Sequence, residues 1–305
     1  MKKLINYFQR LFGCLFPRFA VRIVFLRKFG RLPDLKNPKD LNEKIQWLKF
    51  HGDMRVWADL ADKYLVRNYV ISKGLENILV PLYGKYDSVE GFSAAWKSFQ
   101  APFVIKTNNA CKEVIIVKDK AAADSSAICR QLRKWLSDRT FWGFFVEPHY
   151  RFIKPCIVVE QYLEEIGPGA EVSSSLIDYK IWCFDGRPYC VFVTFNRQPD
   201  SVAIGCYDTD WNPIEDSCVF SGHFRKGPVL PRPESLDKML EYASVLSAGF
   251  SQVRVDLYNT DGQIRFGEMT FTSNGGFMTY FSSDSLKKMG DLCHAGALPG
   301  QTSVK

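Results

Sequence analysis

Two acidic residues and an arginine near the end of the chain have types and spacing that suit metal-assisted phosphoryl chemistry. Arg254 and Asp256 lie in the β-prone run VRVDLYN, and Glu268 follows in the next run, after a hairpin signal at Asp261 and Gly262. Facing side chains of such a hairpin come within about 5 Å when their register matches, so Asp256 and Glu268 could converge on one face. Two carboxylates at that distance repel unless a cation lies between them, and Mg²⁺ prefers oxygen ligands. Arg254 points to the same face and could stabilise a transferring phosphoryl group.

Two lysines occur inside apolar runs upstream of this hairpin. Lys106 ends the run FVIK, and Lys180 lies in the run DYKIW. A buried lysine is costly without an anionic partner, and a nucleotide phosphate is a natural one. Each pattern also has an ordinary alternative: a lysine that extends to solvent or, for the hairpin, a solvated ladder of surface charges. Between the lysines, CIVVEQYL predicts a buried strand whose end, at Glu160, offers polar groups to the edge of a purine.

The elements around these residues are of mixed type, so we expect an α+β fold. The segment NPKDLNEKIQWLKFHG predicts a helix capped by Asp40 or Asn42, and VWADLADKYLVRNYVISKG predicts a second helix that ends at Gly74. Strand signals follow in ILVPLYGKY, FVIKTN, VIIVKD and CIVVEQYL, with a helix in AICRQLRKWLSD. The last third adds a hairpin around Asp185 and Gly186 and a helix in SLDKMLEYASVLSAG.

Length and composition indicate a globular protein with more than one subdomain. The chain has 305 residues, of which 46% are hydrophobic and 14% aromatic, so we expect two or three subdomains. We place a basic helical region at 1–75, a first subdomain with a phosphate-covering loop at 76–163, a second subdomain with the metal site at 164–298, and a frayed tail at 299–305. The modest net charge of +7, with acidic residues interspersed, argues against a nucleic-acid partner and suits anionic small substrates. Nine cysteines without a CxxC pair indicate reduced thiols in a cytoplasmic protein.

The first thirty residues mix aromatic and aliphatic side chains with cations at short intervals. Polar and basic residues interrupt every apolar window, so neither a cleavable signal peptide nor a membrane span fits; they are Gln9, Arg10, Arg18, Arg22, Arg27 and Lys28. The pattern predicts one or two basic amphipathic helices, which could contact the inner face of the plasma membrane. A helix pair packed on the domain is an equal alternative.

Taken in order, these segments resemble the ATP-grasp superfamily: Lys106, VVEQYL at 158–163, DYK at 178–180, RVD at 254–256 and GE at 267–268. A closer resemblance is to its TupA-like branch, which is associated with teichuronopeptide and other surface-polysaccharide biosynthesis. The segments that resemble this branch are LNEKIQWL (41–48), DKY (62–64), VIIVKDK (114–120), DYK, VRVDLY (253–258) and FGEMTFT (266–272). The resemblance extends from about residue 30 to about residue 292, which is nearly the whole chain.

The resemblance implies an ATP-grasp fold, in which two α+β subdomains clasp ATP, preceded here by the N-terminal helices. It makes Lys106 and Lys180 phosphate ligands and Asp256 and Glu268 magnesium ligands, with Arg254 on the phosphoryl group; Arg254 and Lys180 are the expected catalytic residues. It places adenine against Glu160, Gln161, Tyr162 and Leu163. The ribose carboxylate would come from Glu164, Glu165 or Asp178, and we rank Asp178 first because it opens the next strand.

The activity implied by the resemblance is that of an ATP- and Mg²⁺-dependent ligase that activates a carboxylate as an acyl phosphate and couples it to an amine. The partners would be an amino acid and a uronic acid or amino sugar, for a bacterial capsule or O-antigen. Three alternatives stay open: a glycosyltransferase with a DxD motif at Asp208 and Asp210, a sugar kinase on the same ATP site, and a degenerate nucleotide-binding scaffold.

The sequence departs from the superfamily pattern at two places. The loop after Lys106, residues 107–113, has no glycine where the family often has His-Gly-Ser-Gly, so backbone cradling of phosphate is harder and Asn108, Asn109 or Lys112 would have to substitute. Thr270 stands where many members have an asparagine metal ligand, which leaves a second magnesium site without its usual ligand.

Overall fold

The computed structural model describes residues 2–110, 113–260 and 262–294. The chain forms two compact units: the first comprises the chain up to Pro17 together with Met54–Leu163, and the second comprises Arg18–Asp53 and the chain from Glu164 onward. Residues of the region 1–75, predicted to be a basic helical region, occur in both units. Its first helix packs on the 3₁₀ turn Phe141–Gly143, whereas its third packs on the helix Ser283–Leu292. The predicted frayed tail, 299–305, lies outside the described residues.

The helices are α1 (Lys2–Leu15), α2 (Pro17–Phe29), α3 (Leu41–His51), α4 (Met54–Ala61), α5 (Val66–Ser72), α6 (Val89–Ala95), α7 (Ser125–Ser137), α8 (Pro168–Val172), α9 (Leu236–Ser247) and α10 (Ser283–Leu292). The strands are β1 (Leu82–Tyr86), β2 (Phe103–Thr107), β3 (Val114–Val117), β4 (Ile157–Gln161), β5 (Asp178–Phe184), β6 (Arg187–Phe195), β7 (Val202–Tyr207), β8 (Phe224–Lys226), β9 (Val253–Thr260) and β10 (Gln263–Thr270).

The first unit is built on an antiparallel sheet of four strands in the order β1-β4-β2-β3. Side chains alternate along β2, so Phe103 and Ile105 enter an apolar cluster to which α6 contributes Phe92 and α7 contributes Leu132. Because of the same alternation, Lys106 points to the other face of the sheet. The apolar run that predicted this strand therefore explains both its burial and the position of its lysine.

The second unit contains a six-stranded sheet in the order β10-β9-β5-β6-β7-β8, antiparallel except for the β7–β8 pair. α9 packs on β5, β6 and β9, with Met239 fully buried. Along β9, Val255 and Leu257 are fully buried, and Arg254 and Asp256 alternate with them on the opposite face. One face of this sheet thus forms the core, and the other presents polar groups.

Most predicted elements are confirmed, and the α+β class with them. Asp40 caps α3 by accepting a hydrogen bond from the Glu43 amide, and the β5–β6 hairpin turns through Asp185 and Gly186, both with positive φ. The β9–β10 hairpin is present as well; Asp261 of its turn lies outside the described residues.

The prediction of one continuous helix over 56–74 is wrong, because α4 ends at Ala61 and α5 begins at Val66. The buried Asp62 causes the break: its Oδ1 accepts hydrogen bonds from the amides of Tyr64 and Leu65, and its Oδ2 accepts one from Asn108. A side chain that captures the next backbone amides ends a helix, whatever the helical propensity around it.

Candidate active site

Three adjacent strands of the second unit bring the acidic pair and a lysine into one row. Lys180 of β5 pairs with Asp256 of β9, and Asp256 pairs with Glu268 of β10. Lys180 Nζ donates to Oδ2 of Asp256 at 2.8 Å. In the next row, Arg254 pairs with Thr270. Alternate residues of neighbouring strands share one face, so the hairpin brings Asp256 and Glu268 together, an arrangement that the sequence allowed but did not specify.

This pairing depends on a β-bulge at Gly267. Phe266 pairs with Leu257 on one side of the bulge and Glu268 pairs with Asp256 on the other, so Gly267 is the extra residue. Without the bulge, Gly267 would stand opposite Asp256 and Glu268 would turn to the other face. A Cβ at Gly267 would lie 2.9 Å from the Asp256 carbonyl oxygen, so the close approach of the strands requires glycine.

Arg254 links the two carboxylates. Its Nε donates to Oδ1 of Asp256 at 2.6 Å and its Nη2 donates to Oδ2 at 2.7 Å, a bidentate pairing that fixes the guanidinium plane. Nη2 also lies 3.0 Å from Oε1 of Glu268, and Nη1 donates to Oγ of Ser273 at 2.8 Å. Arg254, from the next row, is therefore a cation held in a fixed orientation by the two anions.

Each charged group at this site favours the ionised form of its oppositely charged neighbours. Burial alone would raise the pKa of the Asp256 carboxyl, but Arg254 and Lys180 hold that pKa below its ordinary range. Burial likewise opposes the charge of Arg254, yet Asp256 and Glu268 raise the pKa of Arg254 above its ordinary value. Asp256 and Arg254 are consequently both ionised at neutral pH.

Glu268, at one end of the row, is the acidic residue that is exposed to solvent. Its side chain is 43% exposed, against 3% for Asp256, and it accepts a hydrogen bond from Thr270 at 2.8 Å. In nucleotide sites Mg²⁺ is typically held by one or two carboxylates, phosphate oxygens and water; Asp256 and Glu268 fit that donor set. Within the described residues no third His, Cys, Asp or Glu side chain completes a larger metal-binding group, so any remaining ligands would come from substrate and water.

Asp178, the preferred candidate for ribose, is held at the start of β5 by several donors. Its Oδ2 accepts hydrogen bonds from Thr194 at 2.9 Å and Arg197 at 3.0 Å. The charge of Asp178 and burial raise the pKa of Tyr258 well above its ordinary value, so the phenol stays protonated. Lys180 Nζ is 3.6 Å from Oδ1 of Asp178. The carboxylate is thus oriented beside the lysine, and its contact with ribose stays a prediction.

The first unit contains the other predicted phosphate ligand. Lys106 Nζ donates to Oε2 of Glu160 at 2.9 Å, and Arg67 Nη1 donates to Oε1 at 3.2 Å. Glu160 is only 6% exposed, so two cations surround one buried carboxylate and leave an excess positive charge that suits an anion. The Glu160 side chain, which the sequence assigned to adenine, is therefore engaged with Lys106 and Arg67.

The other predicted adenine contacts, Gln161, Tyr162 and Leu163, lie at the end of β4. The Gln161 amide donates to the Pro81 carbonyl at 3.0 Å, and Lys118 Nζ lies 5.3 Å from the centre of the Tyr162 ring. Gln161 is exposed, while Tyr162 and Leu163 are partly exposed. Their contact with a purine stays a prediction.

The loop after Lys106 is anchored by Asn108 rather than cradled by glycines. Asn108 is 1% exposed; its amide group donates to Asp62 at 2.7 Å and to the Lys154 carbonyl at 3.0 Å, and its Oδ1 accepts from the Cys156 amide at 2.7 Å. This side chain is fully occupied, so the expectation that Asn108 could cradle phosphate is wrong. Asn109 is also buried, with no partner for its Oδ1. Lys112 lies outside the described residues.

Sequence reasoning missed how α3 supports the row. Asn42 exchanges hydrogen bonds with the backbone of Met278, Gln46 donates to the carbonyls of Gly275 and Gly276, and Lys49 also donates to Gly275. These three polar residues of α3 are buried and hold the turn that begins with Ser273, the partner of Arg254. Asn42, Gln46 and Lys49 are spaced by four and three residues and therefore share one face of the helix. This spacing, beside an apolar stripe, is the sequence pattern that could have indicated their burial. Arg67 showed no such signal, because its partner is distant in sequence.

The DxD sequence is an ordinary turn. Asp208 accepts hydrogen bonds from the amides of Asp210 and Asn212 and from the Asn212 side chain, at 2.7–3.0 Å. These bonds occupy both oxygens of Asp208 within its own turn.

Comparison with known proteins gives low identities to solved structures. N5-carboxyaminoimidazole ribonucleotide synthetase in an ADP complex is 14% identical with a TM-score of 0.46; the match covers 74% of this chain and 49% of that chain. D-alanine–D-alanine ligase from Bacillus anthracis, complexed with ATP, is 14% identical with a TM-score of 0.45, covering 84% and 72%. The Helicobacter pylori D-alanine–D-alanine ligase is 14% identical with a TM-score of 0.44, covering 79% and 61%.

The chain thus spans about half the length of the synthetase. No curated protein sequence matches it significantly. The family profile described as TupA-like ATPgrasp matches residues 43–294, which includes the Lys180–Asp256–Glu268 row and the Lys106–Glu160 pair. Because that match covers most of the chain, the protein belongs to the TupA-like ATP-grasp family.

Proposed function

We propose that the protein is an ATP- and Mg²⁺-dependent carboxylate–amine ligase that forms an amide through an acyl phosphate. The main support is the row of Lys180, Asp256 and Glu268 with Arg254 bound across both carboxylates. Two carboxylates and two cations on one sheet face suit a metal-bound polyphosphate and give no protein nucleophile a role.

In this proposal, residues of both units contact the nucleotide. The first unit would supply Lys106 for phosphate and Gln161, Tyr162 and Leu163 for adenine, with Glu160 orienting Lys106. The second would supply Lys180 for phosphate and Asp178 for the ribose. Asp256 and Glu268 would hold Mg²⁺, whose chemistry is to neutralise charge on the terminal phosphates.

The reaction consists of two substitutions. A carboxylate oxygen of one substrate attacks the γ-phosphorus of ATP, the bond to the β-phosphate oxygen breaks, and ADP leaves. The amine of the second substrate then attacks the acyl carbon, loses a proton to solvent and expels phosphate. Arg254 and Lys180, fixed by Asp256, would stabilise the charge that develops on the transferring group.

For the substrates we propose an amino acid and a sugar with a carboxylate or an amine, in the cytoplasmic assembly of a bacterial capsule or O-antigen. This choice follows the family's association with surface polysaccharides, and the modest positive charge agrees with anionic small substrates.

The test is ADP release from ATP and Mg²⁺ across a panel of amino acids and uronic-acid or amino sugars. Wild type, Glu268→Ala and the matched control Glu241→Ala are compared; Glu241 is an exposed glutamate paired with Lys238. We expect ADP formation that requires both substrates, is retained in Glu241→Ala and falls at least about 100-fold in Glu268→Ala.

Other outcomes identify the alternatives. Turnover with a sugar alone, without amide formation, would identify a kinase on the same ATP site. Absence of nucleotide binding would refute the ligase and favour a glycosyltransferase, although the turn geometry at Asp208 gives that alternative no support.

A further inference from the structure

The N-terminal helix α1 packs on the first unit through its small and polar face. Gly13 is buried against Gly143, which leaves no room for a Cβ at either position, and Arg10 donates to Asp138 at 2.6 Å. Cys14 lies beside the Thr140 carbonyl. The contact face of α1 is therefore defined by Arg10, Gly13 and Cys14.

The opposite face of α1 is apolar and exposed. Ile5, Phe8, Phe12 and Leu15 follow helical spacing, and between 38% and 63% of each is exposed. At 100° per residue this stripe lies about 180° from the contact face. An amphipathic helix in a globular protein normally buries its apolar stripe. In α1 the polar face is packed and the apolar stripe is exposed, which indicates that the stripe binds an apolar partner outside the chain.

The helix α2 shows the same division within the second unit. Ala20, Val21 and Phe25 are buried, whereas Phe19, Ile23 and Leu26 form an exposed stripe. Arg22 and Arg27 are exposed on either side of this stripe in the helical projection. An apolar stripe with flanking arginines is typical of helices that lie in a bilayer interface.

The positive charge of the N-terminal region indicates what binds to the two exposed stripes. The first 33 residues contain eight lysines and arginines and no acidic residue, so the rest of the chain has one more acidic than basic residue. A second copy would place like charges against each other in a symmetric contact. An anionic bilayer supplies both the negative surface and the apolar layer. In the part of the chain that the structure describes, no helix is long and apolar enough to cross a bilayer.

We infer that the exposed faces of α1 and α2, the α1 stripe and the α2 stripe, are each a docking surface for membranes that contain anionic phospholipid. The aromatic and aliphatic side chains insert at the headgroup boundary and the arginines contact lipid phosphates. The inference does not depend on the proposed ligase activity, since binding is measured without nucleotide.

The experiment is co-sedimentation of the full chain with vesicles of phosphatidylcholine alone or mixed with phosphatidylglycerol. Phe8→Ser/Phe12→Ser removes two residues of the α1 stripe; its control, Leu65→Ser/Ile71→Ser, removes two exposed apolar residues elsewhere on the first unit. Arg22→Gln/Arg27→Gln removes two charges beside the α2 stripe; its control, Lys287→Gln/Lys288→Gln, removes two exposed charges of α10. Thermal melting of each variant without vesicles verifies folding.

We expect wild type to bind the mixed vesicles and to dissociate at high salt. The partition coefficient should fall about tenfold or more in both stripe variants and stay near wild type in both controls. Three results would overturn the inference: no binding to mixed vesicles, equal binding to neutral vesicles, or equal losses in the controls. Concentration-dependent dimerisation abolished by Phe8→Ser/Phe12→Ser, without vesicle binding, would instead identify a second copy as the occupant.

Discussion

Arg254 determines how the two acidic residues of the candidate site behave. Its guanidinium makes two hydrogen bonds to Asp256 and one to Glu268, so it compensates the repulsion that their proximity would otherwise cause. Asp256 is the buried member of the pair and Glu268 the exposed one. The two carboxylates therefore differ in exposure: Asp256 is bound to Arg254 and Lys180, whereas the Glu268 side chain is open to solvent.

The stability of wild type should depend on the ionisation of Asp256. Its pKa in the folded protein is below the ordinary value, so its contribution is present above about pH 4 and is lost as pH falls through the folded pKa. We expect Asp256→Asn to lower the unfolding free energy by about 3 kcal/mol at pH 7, because Arg254 loses its charged partner. Urea unfolding at several pH values measures the difference between the two proteins.

That difference in unfolding free energy should narrow as pH falls below about 4 and disappear below the folded pKa of Asp256, where wild type also loses the charge. Asp237→Asn is the control, since Asp237 is exposed and forms a surface pair with Arg232. A constant difference across the pH range would show that Asp256 contributes through shape and not through charge.

The β9–β10 hairpin shows what a pattern of residue types can and cannot predict. Alternation and the Asp-Gly signal predict two strands and a turn, but the bulge at Gly267 sets which side chain faces Asp256. Simple counting from the turn would pair Asp256 with Gly267. The bulge depends on the close approach of two backbones, a packing property that no local sequence pattern specifies.

We expect Gly267→Ala to destabilise the hairpin by about 1–3 kcal/mol, since the new Cβ would be forced against the Asp256 carbonyl. ADP release should fall with it, because Glu268 and Asp256 lose their register. The matched control is Gly222→Ala, at a position where a Cβ meets nothing within 4 Å. Urea unfolding and turnover measure both effects; a stable, fully active Gly267→Ala would rule out the requirement for glycine.

The helix α3 was predicted correctly, including its cap, yet its role was not. Its polar residues resemble a solvated surface, and their burial depends on partners more than 220 positions away, such as Gly275 for Lys49 and Met278 for Asn42. Whether a polar side chain is exposed is decided by tertiary packing, and burial is permitted here because each has hydrogen-bond partners.

Gln46→Met keeps the length of the side chain and removes its two hydrogen bonds to the Gly275 and Gly276 carbonyls. We expect a loss of about 1–3 kcal/mol in unfolding free energy, because buried carbonyls lose a donor. Turnover should also fall, since the same turn positions Ser273 against Arg254. Gln198→Met, at an exposed position, is the control; an unchanged ADP release rate in a destabilised Gln46→Met would separate the stability of the turn from catalysis.

At the scale of the complete chain, the ordered motifs between Lys106 and Glu268 predicted the ATP-grasp superfamily, and the segments between Leu41 and Thr272 predicted its TupA-like branch, which the profile match confirms. They could not predict how the N-terminal helices are divided between the two units. That division depends on which surfaces α1 and α3 fit, Gly143 in one case and the Gly275–Gly276 turn in the other. Helix docking is set by shape and by hydrogen bonds between residues distant in sequence, and no short motif encodes these.

A nucleotide bound by the folded chain should raise its thermal stability. At a non-hydrolysable ATP analogue concentration of about 100 times Kd, linkage gives about 2.7 kcal/mol, and an unfolding entropy of about 2.1 cal/mol/K per residue converts this into a rise of about 4 °C in Tm. The rise should require Mg²⁺, disappear with EDTA, persist in Glu241→Ala and be largely lost in Glu268→Ala, since Glu268 is the exposed carboxylate of the pair. Calorimetry at fixed protein concentration measures it. A shift that is the same with EDTA, or the same in Glu268→Ala, would show that the nucleotide binds without the metal pair and would remove Asp256 and Glu268 from the proposed site.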